Sequence, residues 1–261
     1  EWLTISFEDV FDSITWAIRG MLDFLELLFI GTPWPVMALI LILLSWKMAG
    51  WRVVVFTAAA LLYLGAFGFW DKAMSTMALV GASVFICLLI GAPLGILAAK
   101  NPRFNRILNP ILDVMQTMPS FVYLIPAIAF FSIGKPPAVL ATVVFAMPPM
   151  IRLTALGIQQ VSPSVIEAML AFGASPNQVL FKAQLPLAMP SIMAGINQSI
   201  MMSLSMVVVA ALIGAGGLGY DVLSSLQHLD AGKGLLAGLA IVLCAMILDK
   251  IIRGRVESNT H

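Results

Sequence analysis

The sequence predicts an all-α integral membrane protein, with about seven transmembrane helices preceded by an amphipathic helix. Three observations carry that reading. Hydrophobic residues make up 61% of the 261 residues and charged residues only 10%, against roughly 45–50% and about 25% in ordinary globular chains. A soluble chain of this length cannot bury so much apolar surface. Uncharged runs recur at lengths that suit a bilayer, and Lys and Arg fall unevenly on the two sides of that pattern.

The first element is the amphipathic helix. Phe7, Val10, Phe11, Ile14, Ile18, Met21, Leu22 and Leu25 recur at three- and four-residue spacing, while Glu8, Asp9, Asp12, Arg19, Asp23 and Glu26 take the other face. Ser6 and Asp9 are placed for a capping box at its start. Such a helix lies along a membrane surface or against a bundle. Its charged face is acidic and continues through the apolar stretch, unlike a signal peptide.

The spans follow from the gaps between charges. A bilayer core takes about 20 helical residues. Uncharged stretches run over Leu27–Trp46, Val53–Trp70, Ala73–Ala99, Val114–Gly134, Pro136–Ile151, Ala183–Tyr220 and Gly234–Leu248. Pro136–Ile151 and Gly234–Leu248 are short, but Arg152 and Lys250 can snorkel to extend them. The run from Ala183 is too long for one span, so its helix is expected from near Pro190 to near Ile213.

Orientation rests on the basic residues. With the N-terminus outside, ten lie inside: Lys47, Arg52, Lys100, Arg103, Arg106, Arg152, Lys182, Lys250, Arg253 and Arg255. Four lie outside: Arg19, Lys72, Lys135 and Lys233. The C-terminus is then cytoplasmic.

Several chemistries are excluded. A net charge of +1 gives no basic face for nucleic acid. Cys87 and Cys244 sit in apolar runs and read as small buried hydrophobes, with no metal spacing. Two histidines, His228 and His261, lie far from any nucleophile–base arrangement, so no catalytic residue is assigned. Gly214, Gly216 and Gly219 match a dinucleotide fingerprint on paper, yet they follow a membrane helix and Asp230 is too near. They read as a tight outer turn. No phosphate-binding P-loop is present. Gly91-xxx-Gly95 and Gly234-xxx-Gly238 would let helices approach closely.

The informative stretch is the inner loop from Ser162 to Pro190, SPSVIEAMLAFGASPNQVLFKAQLPLAMP. Two short helices are written into it. Ser162 or Ser164 can cap the first, and Ser164-x-x-Glu167 has capping-box spacing. Gly173 sits where a left-handed C-cap is wanted. Ser175-Pro176 starts a second helix, which Pro186 is expected to end.

Here the residues support a resemblance. Glu167-Ala168-Met169-xxx-Gly173, nine residues, then Ala183-Gln184-Leu185-Pro186 resembles the EAA loop of ABC importer permeases. Met169 and Ala183 replace an Ala and an Ile of that pattern and remain apolar. Gln116–Gly134, Phe145–Val161, Ile196–Gly219 and the segment around Leu229–Gly234 resemble the permeases of glycine betaine/proline betaine importers. The resemblance implies a type I ABC permease fold. Residues 1–31 would form the external amphipathic helix and 32–72 the first two spans. Residues 73–253 would be the permease core with its coupling loop at 162–186, and 254–261 a cytoplasmic tail.

The resemblance also implies partners and a location. These are an ATPase subunit, an extracytoplasmic binding protein and a second copy of this chain, in a bacterial or archaeal cytoplasmic membrane. ATP and Mg would belong to the ATPase, and this chain would need no cofactor. Glu167, Ala168, Gly173, Ala174, Leu185 and Pro186 would couple to that ATPase. Gln116, Thr117, Tyr123, Asn197, Gln198, Ser203 and Ser205 are candidate path residues, because polar groups inside spans tend to face the bundle interior. For any one of them, helix–helix hydrogen bonding is the plainer role. The expected cargo is a compatible solute such as glycine betaine or proline betaine. The alternatives are a methionine- or sulfonate-type ABC permease, an ATP-independent channel or a secondary transporter. The spans carry no ionisable group for ion coupling, which weighs against the last.

Overall fold

The computed structural model describes residues 8–257, and its described residues form helices joined by short turns. The capping box expected at Ser6 and the far end of the tail lie outside them. The chain runs through α1 (Glu8–Phe29), α2 (Trp34–Ala49), α3 (Trp51–Ala66), α4 (Trp70–Lys100), α5 (Pro102–Thr117), a 3-10 turn (Ser120–Tyr123) and α6 (Leu124–Phe131). It continues through α7 (Lys135–Gln159), α8 (Pro163–Ala171), α9 (Pro176–Val179), a π-helical turn (Leu180–Gln184), α10 (Leu185–Ala211), α11 (Gly217–Gln227) and α12 (Ala231–Glu257).

Among the described residues, four stretches are long and apolar enough to span alone: Trp70–Lys100, Lys135–Gln159, Pro176–Ala211 and Ala231–Ile252. The other three expected spans come out differently. The run Leu27–Trp46 is broken at Gly31–Pro33, where α1 and α2 meet at 95°. Two prolines, Pro33 and Pro35, sit at that corner, and Pro33 is the α2 N-cap. The run Val114–Gly134 is broken at Pro119, where the chain bends by 109°. Proline removes a helix donor and clashes with the preceding turn, so lack of charge alone did not make a straight helix there. The run Val53–Trp70 forms the shorter apolar helix α3. Counting each bent pair as one span gives up to six, plus α3, in place of seven straight ones.

The core is the packing of α7 against α4 and α10. Its tightest point is where Gly91 and Gly95 of α4 meet α7. A Cβ added to Gly95 would lie 2.6 Å from Thr154 Cβ and 2.8 Å from the Ile151 carbonyl oxygen. One added to Gly91 would lie 2.9 Å from Met150 Cγ. The close approach expected of this pair is present. Gly234 also lies under a neighbour, Ser225, but a Cβ on Gly238 would meet nothing within 4 Å. Cys87 and Cys244 are buried and free.

The amphipathic helix α1 packs on the bundle through buried Ile18 and Leu22. Phe11 meets Phe130 and Phe131 of α6, with ring centroids 4.9 and 5.3 Å apart. Glu26 accepts from Ser75 Oγ at 3.1 Å and pairs with Lys135 Nζ, tying α1 to the starts of α4 and α7. At that same end Asp221 of α11, 1% exposed, takes Lys72 Nζ at 2.7 Å, with Lys233 Nζ at 4.0 Å. Neither ion pair is legible in the sequence, because each joins residues far apart along the chain.

The turn before α11 needs glycine. Gly214, Gly216 and Gly217 all have positive φ. At Gly217 a Cβ would also sit 2.5 Å from Thr76 Oγ1, the oxygen that accepts the Leu218 N–H at 2.9 Å.

The α4–α7 contact yields a stability test. Gly95→Ala should cost roughly 1–3 kcal/mol through overpacking. Gly81→Ala on the same helix adds a Cβ with nothing within 4 Å and should be neutral or slightly stabilising. Thermal unfolding of the detergent-purified protein, followed by intrinsic fluorescence, would separate them. Equal melting shifts would contradict the close-packed contact.

Candidate functional site, the inner loop between the seventh and tenth helices

The loop that carries the EAA-like residues is built by three local devices. α8 starts at Ser162-Pro163 with Ser162 as N-cap, but Ser162 makes no side-chain cap bond. The Ser162 and Ser164 hydroxyls bond each other at 2.8 Å instead. The capping box expected of Ser164 and Glu167 is therefore not formed. Glu167 is exposed on α8 and free of a capping role.

At the other end of α8, Gly173 adopts φ +80°. Its N–H donates to the Leu170 carbonyl at 2.9 Å, and the Ala174 N–H donates to Met169 at 3.0 Å. That pair of bonds is a Schellman motif, which needs a residue able to adopt the left-handed region. A Cβ there would meet nothing within 4 Å, so backbone conformation alone demands glycine in the isolated chain.

The second helix opens with a complete capping box. The Gln178 N–H donates to Ser175 Oγ at 3.4 Å, and the Ser175 N–H donates to Gln178 Oε1 at 2.8 Å. Its end departs from expectation, because Pro186 does not terminate it. The chain passes through the π turn Leu180–Gln184, in which the Leu185 N–H reaches back to the Leu180 carbonyl, and enters α10 directly. The wider turn shifts the hydrogen-bond register just before Pro186, which then sits in the first turn of α10. Proline is tolerated there because its missing N–H is not needed. α9, the π turn and α10 thus form one continuous rod, Pro176–Ala211.

The loop offers its surface outward. Ala168 and Pro186 are exposed, and Ala174 and Leu185 are partly so. Phe172, at 93% exposure, stands furthest out, with Leu170 and Phe181 beside it on the exposed surface. These apolar groups lie beside the exposed charge of Glu167. Val179, Leu180 and Ala183 turn inward and are buried. A cavity of about 380 Å³ separates the end of α7 from α8 and the start of α10. The buried residues of the rod, rather than α8, anchor the loop.

The candidate path residues divide into two groups. Tyr123 is buried, and its hydroxyl donates to the Met115 carbonyl across the α5–α6 break. Asn197 and Ser203 are buried in α10, and Asn197 Oδ1 and Ser203 Oγ have no protein partner. Gln116, Thr117, Gln198 and Ser205 are exposed. The hydroxyls of Thr117 and Ser205 donate locally, to Val114 at 3.1 Å and Met201 at 3.0 Å. On α10 the exposed residues Ala194, Gln198, Met201 and Ser205 recur at helical spacing and form a polar-flecked stripe. The structure does not bring the seven together at one point. Buried hydrogen-bonding residues that sequence reasoning passed over include Ser199, which donates to the Ala146 carbonyl at 2.8 Å and joins α10 to α7. A serine in an apolar run carries no signal of whether it faces a neighbour or a path.

Comparison with known proteins agrees with this geometry. The family described as binding-protein-dependent transport system inner membrane component matches residues 91–256. The chain is 47% identical over 251 residues to the glycine betaine/proline betaine transport system permease protein ProW of Escherichia coli, covering 96% of this chain and 71% of that one. It is 47% identical over 254 residues to the glycine betaine transport system permease protein OpuAB of Bacillus subtilis, covering 96% and 89%. Among solved structures, an inward-facing MetNI methionine ABC transporter superposes with a TM-score of 0.61 at 25% identity, over 69% of this chain and 92% of that one. The chain therefore belongs to the family of binding-protein-dependent transport system inner membrane components, with the fold of an ABC importer permease.

Proposed function

We propose that this chain is the transmembrane subunit of an ATP-driven importer of glycine betaine or a related quaternary ammonium solute. The observation that carries the substrate class is 47% identity to two glycine betaine permeases across nearly the whole chain. The likeness to a methionine importer is one of fold, at 25% identity, and supports no particular cargo. In this reading the chain is non-catalytic: a separate ATPase subunit binds ATP and Mg, and an extracytoplasmic protein delivers the solute.

The coupling proposal rests on the loop. Glu167, Ala168 and Gly173, with the exposed Phe172, would seat in a groove of the ATPase, while Ala174, Leu185 and Pro186 set the loop's path back to the membrane. Closure of the ATPase subunits would push on the loop. The rod Pro176–Ala211 would carry that displacement into the bundle, because a continuous helix moves as a unit. Alternating access is then a rigid-body change between two packings, biased by nucleotide.

The stripe on α10 supports a second copy. Gln198 is exposed in the midst of a spanning helix, and a polar group facing lipid there is costly. A partner bundle, or a polar path between two bundles, would cover it. Gln116, Thr117, Tyr123, Asn197, Ser203 and Ser205 remain candidates for that path. The proposed orientation, with the N-terminus outside, rests on the uneven placement of Lys and Arg. Lys72 and Lys233 share Asp221, and Lys135 pairs with Glu26, on the side it places outside.

Gly173 offers the test. Permease, ATPase subunit and binding protein would be reconstituted in proteoliposomes and ATP-driven uptake of labelled glycine betaine measured. The unsubstituted chain should transport. Gly173→Asn tolerates the left-handed backbone but adds bulk to the docking surface. It should leave the permease folded yet weaken ATPase association and lower uptake at least tenfold. Gly173→Ala adds little bulk and strains the turn by roughly 1 kcal/mol, so its effect should be milder. If Asn transports normally and Ala merely lowers thermal stability, Gly173 is only a cap.

A further inference from the structure

A cavity of about 930 Å³ lies away from the loop and from the α10 stripe. It is a groove between α2 and α3, closed at one end by the α1–α2 corner and the start of α4. Its walls are Ala38 and Ile42 of α2 and Ala58, Leu62 and Gly65 of α3. Small residues on both helices keep the walls apart, and nothing polar projects from them. Along α2 it extends from Trp34 to Ile42, and along α3 from Ala58 to Ala66. At 1.5 Å per residue each is about 12 Å, close to half of a hydrocarbon core about 30 Å thick. The groove covers most of the depth of one leaflet.

Its mouth has a different chemistry. Trp34 and Trp70 meet edge to face there, with centroids 6.4 Å apart. Paired indoles at one level mark the membrane–water interface, and their N–H groups suit ester oxygens. Asp71 is the charged residue among the described residues lining the groove. The neighbouring cation, Lys72, is engaged by Asp221 at 2.7 Å. The Thr32 hydroxyl is turned back onto the Leu28 carbonyl at 2.6 Å. The mouth therefore offers a carboxylate and two aromatic faces, a combination that favours a cation.

We propose that this groove holds a phospholipid whose headgroup carries a primary amine. An acyl chain would fill the slot between α2 and α3, and the ammonium would sit against Asp71 and the indoles. A primary ammonium can donate hydrogen bonds to the carboxylate. An anionic headgroup would meet repulsion from Asp71. The site lies on the part of the chain that precedes the family match at residues 91–256, and it stands whether or not the transport reading holds.

The test uses the full chain in nanodiscs of equal phosphatidylethanolamine and phosphatidylglycerol, released into detergent and weighed by native mass spectrometry. Phosphatidylethanolamine should be retained over phosphatidylglycerol by roughly fivefold, the ratio that about 1 kcal/mol of charge interaction gives. Asp71→Asn should keep a bound lipid but bring that ratio close to one. Gly65→Leu should expel both lipids. A Cβ on Gly65 meets nothing within 4 Å and leucine favours the helix, so this variant should fold. The proposal is overturned if the unsubstituted chain retains no phosphatidylethanolamine, if Asp71→Asn keeps the preference, or if Gly65→Leu retains lipid as before. It is also overturned if Ala66→Cys, in a chain lacking Cys87 and Cys244, forms a disulfide with a second copy, because protein then fills the groove.

Discussion

A lipid interior offers no hydrogen bonds, so each break in a spanning helix must be repaired from within the protein. This chain is interrupted repeatedly, and most interruptions have an identifiable repair. The α5–α6 bend is bridged by the Tyr123 hydroxyl on the Met115 carbonyl. The turn before α7 is joined to the end of α10 by the Gly134 N–H on the Ile213 carbonyl, at 2.9 Å. The start of α11 is held by the Thr76 hydroxyl. The last two link elements distant in sequence, whereas the first spans eight residues across the bend itself. The breaks thereby become fixed joints of the bundle.

The π turn at Leu180–Gln184 is the repair on which the proposed coupling rests. Had Pro186 ended the second loop helix, the loop would hang from a flexible link. The wider turn instead absorbs the proline and keeps the backbone bonded through it. The exposed surface around Phe172 is then connected to the α7–α10 contact, where Ser199 joins α10 to the Ala146 carbonyl. A continuous backbone thus joins the loop to the bundle.

Much of this was legible in the sequence, for physical reasons that differ by region. Composition and charge gaps revealed the long helices α4, α7, α10 and α12, because lipid imposes length and apolarity directly. Gly91, Gly95, Gly173 and the Ser175 cap were readable, since spacing and residue type there determine local geometry. The α5–α6 bend was missed because charge counting ignores proline. The π turn was missed because it follows from how one proline is accommodated. The ion pairs of Asp221 and Glu26 were missed because they join residues 149 and 109 positions apart. In the loop, the spacing of Glu167, Gly173 and Pro186 was legible, whereas no spacing signalled which polar residues of the spans share a face. A lone Ser or Asn in an apolar helix does not declare which way it faces.

The continuous backbone of Pro176–Ala211 predicts that the loop and α10 move as one body. Spin labels at exposed Asn177 and Leu212, with labelled chains diluted among unlabelled ones, would report the length of that rod in the reconstituted complex. A second pair, Asn177 and Val55 on α3, would report its motion against the rest of the bundle. Between the nucleotide-free and ATP-trapped states, the first distance should stay constant and the second should change. A change in the Asn177–Leu212 distance would mean that the π turn is a hinge, and the rigid connection described here would be wrong.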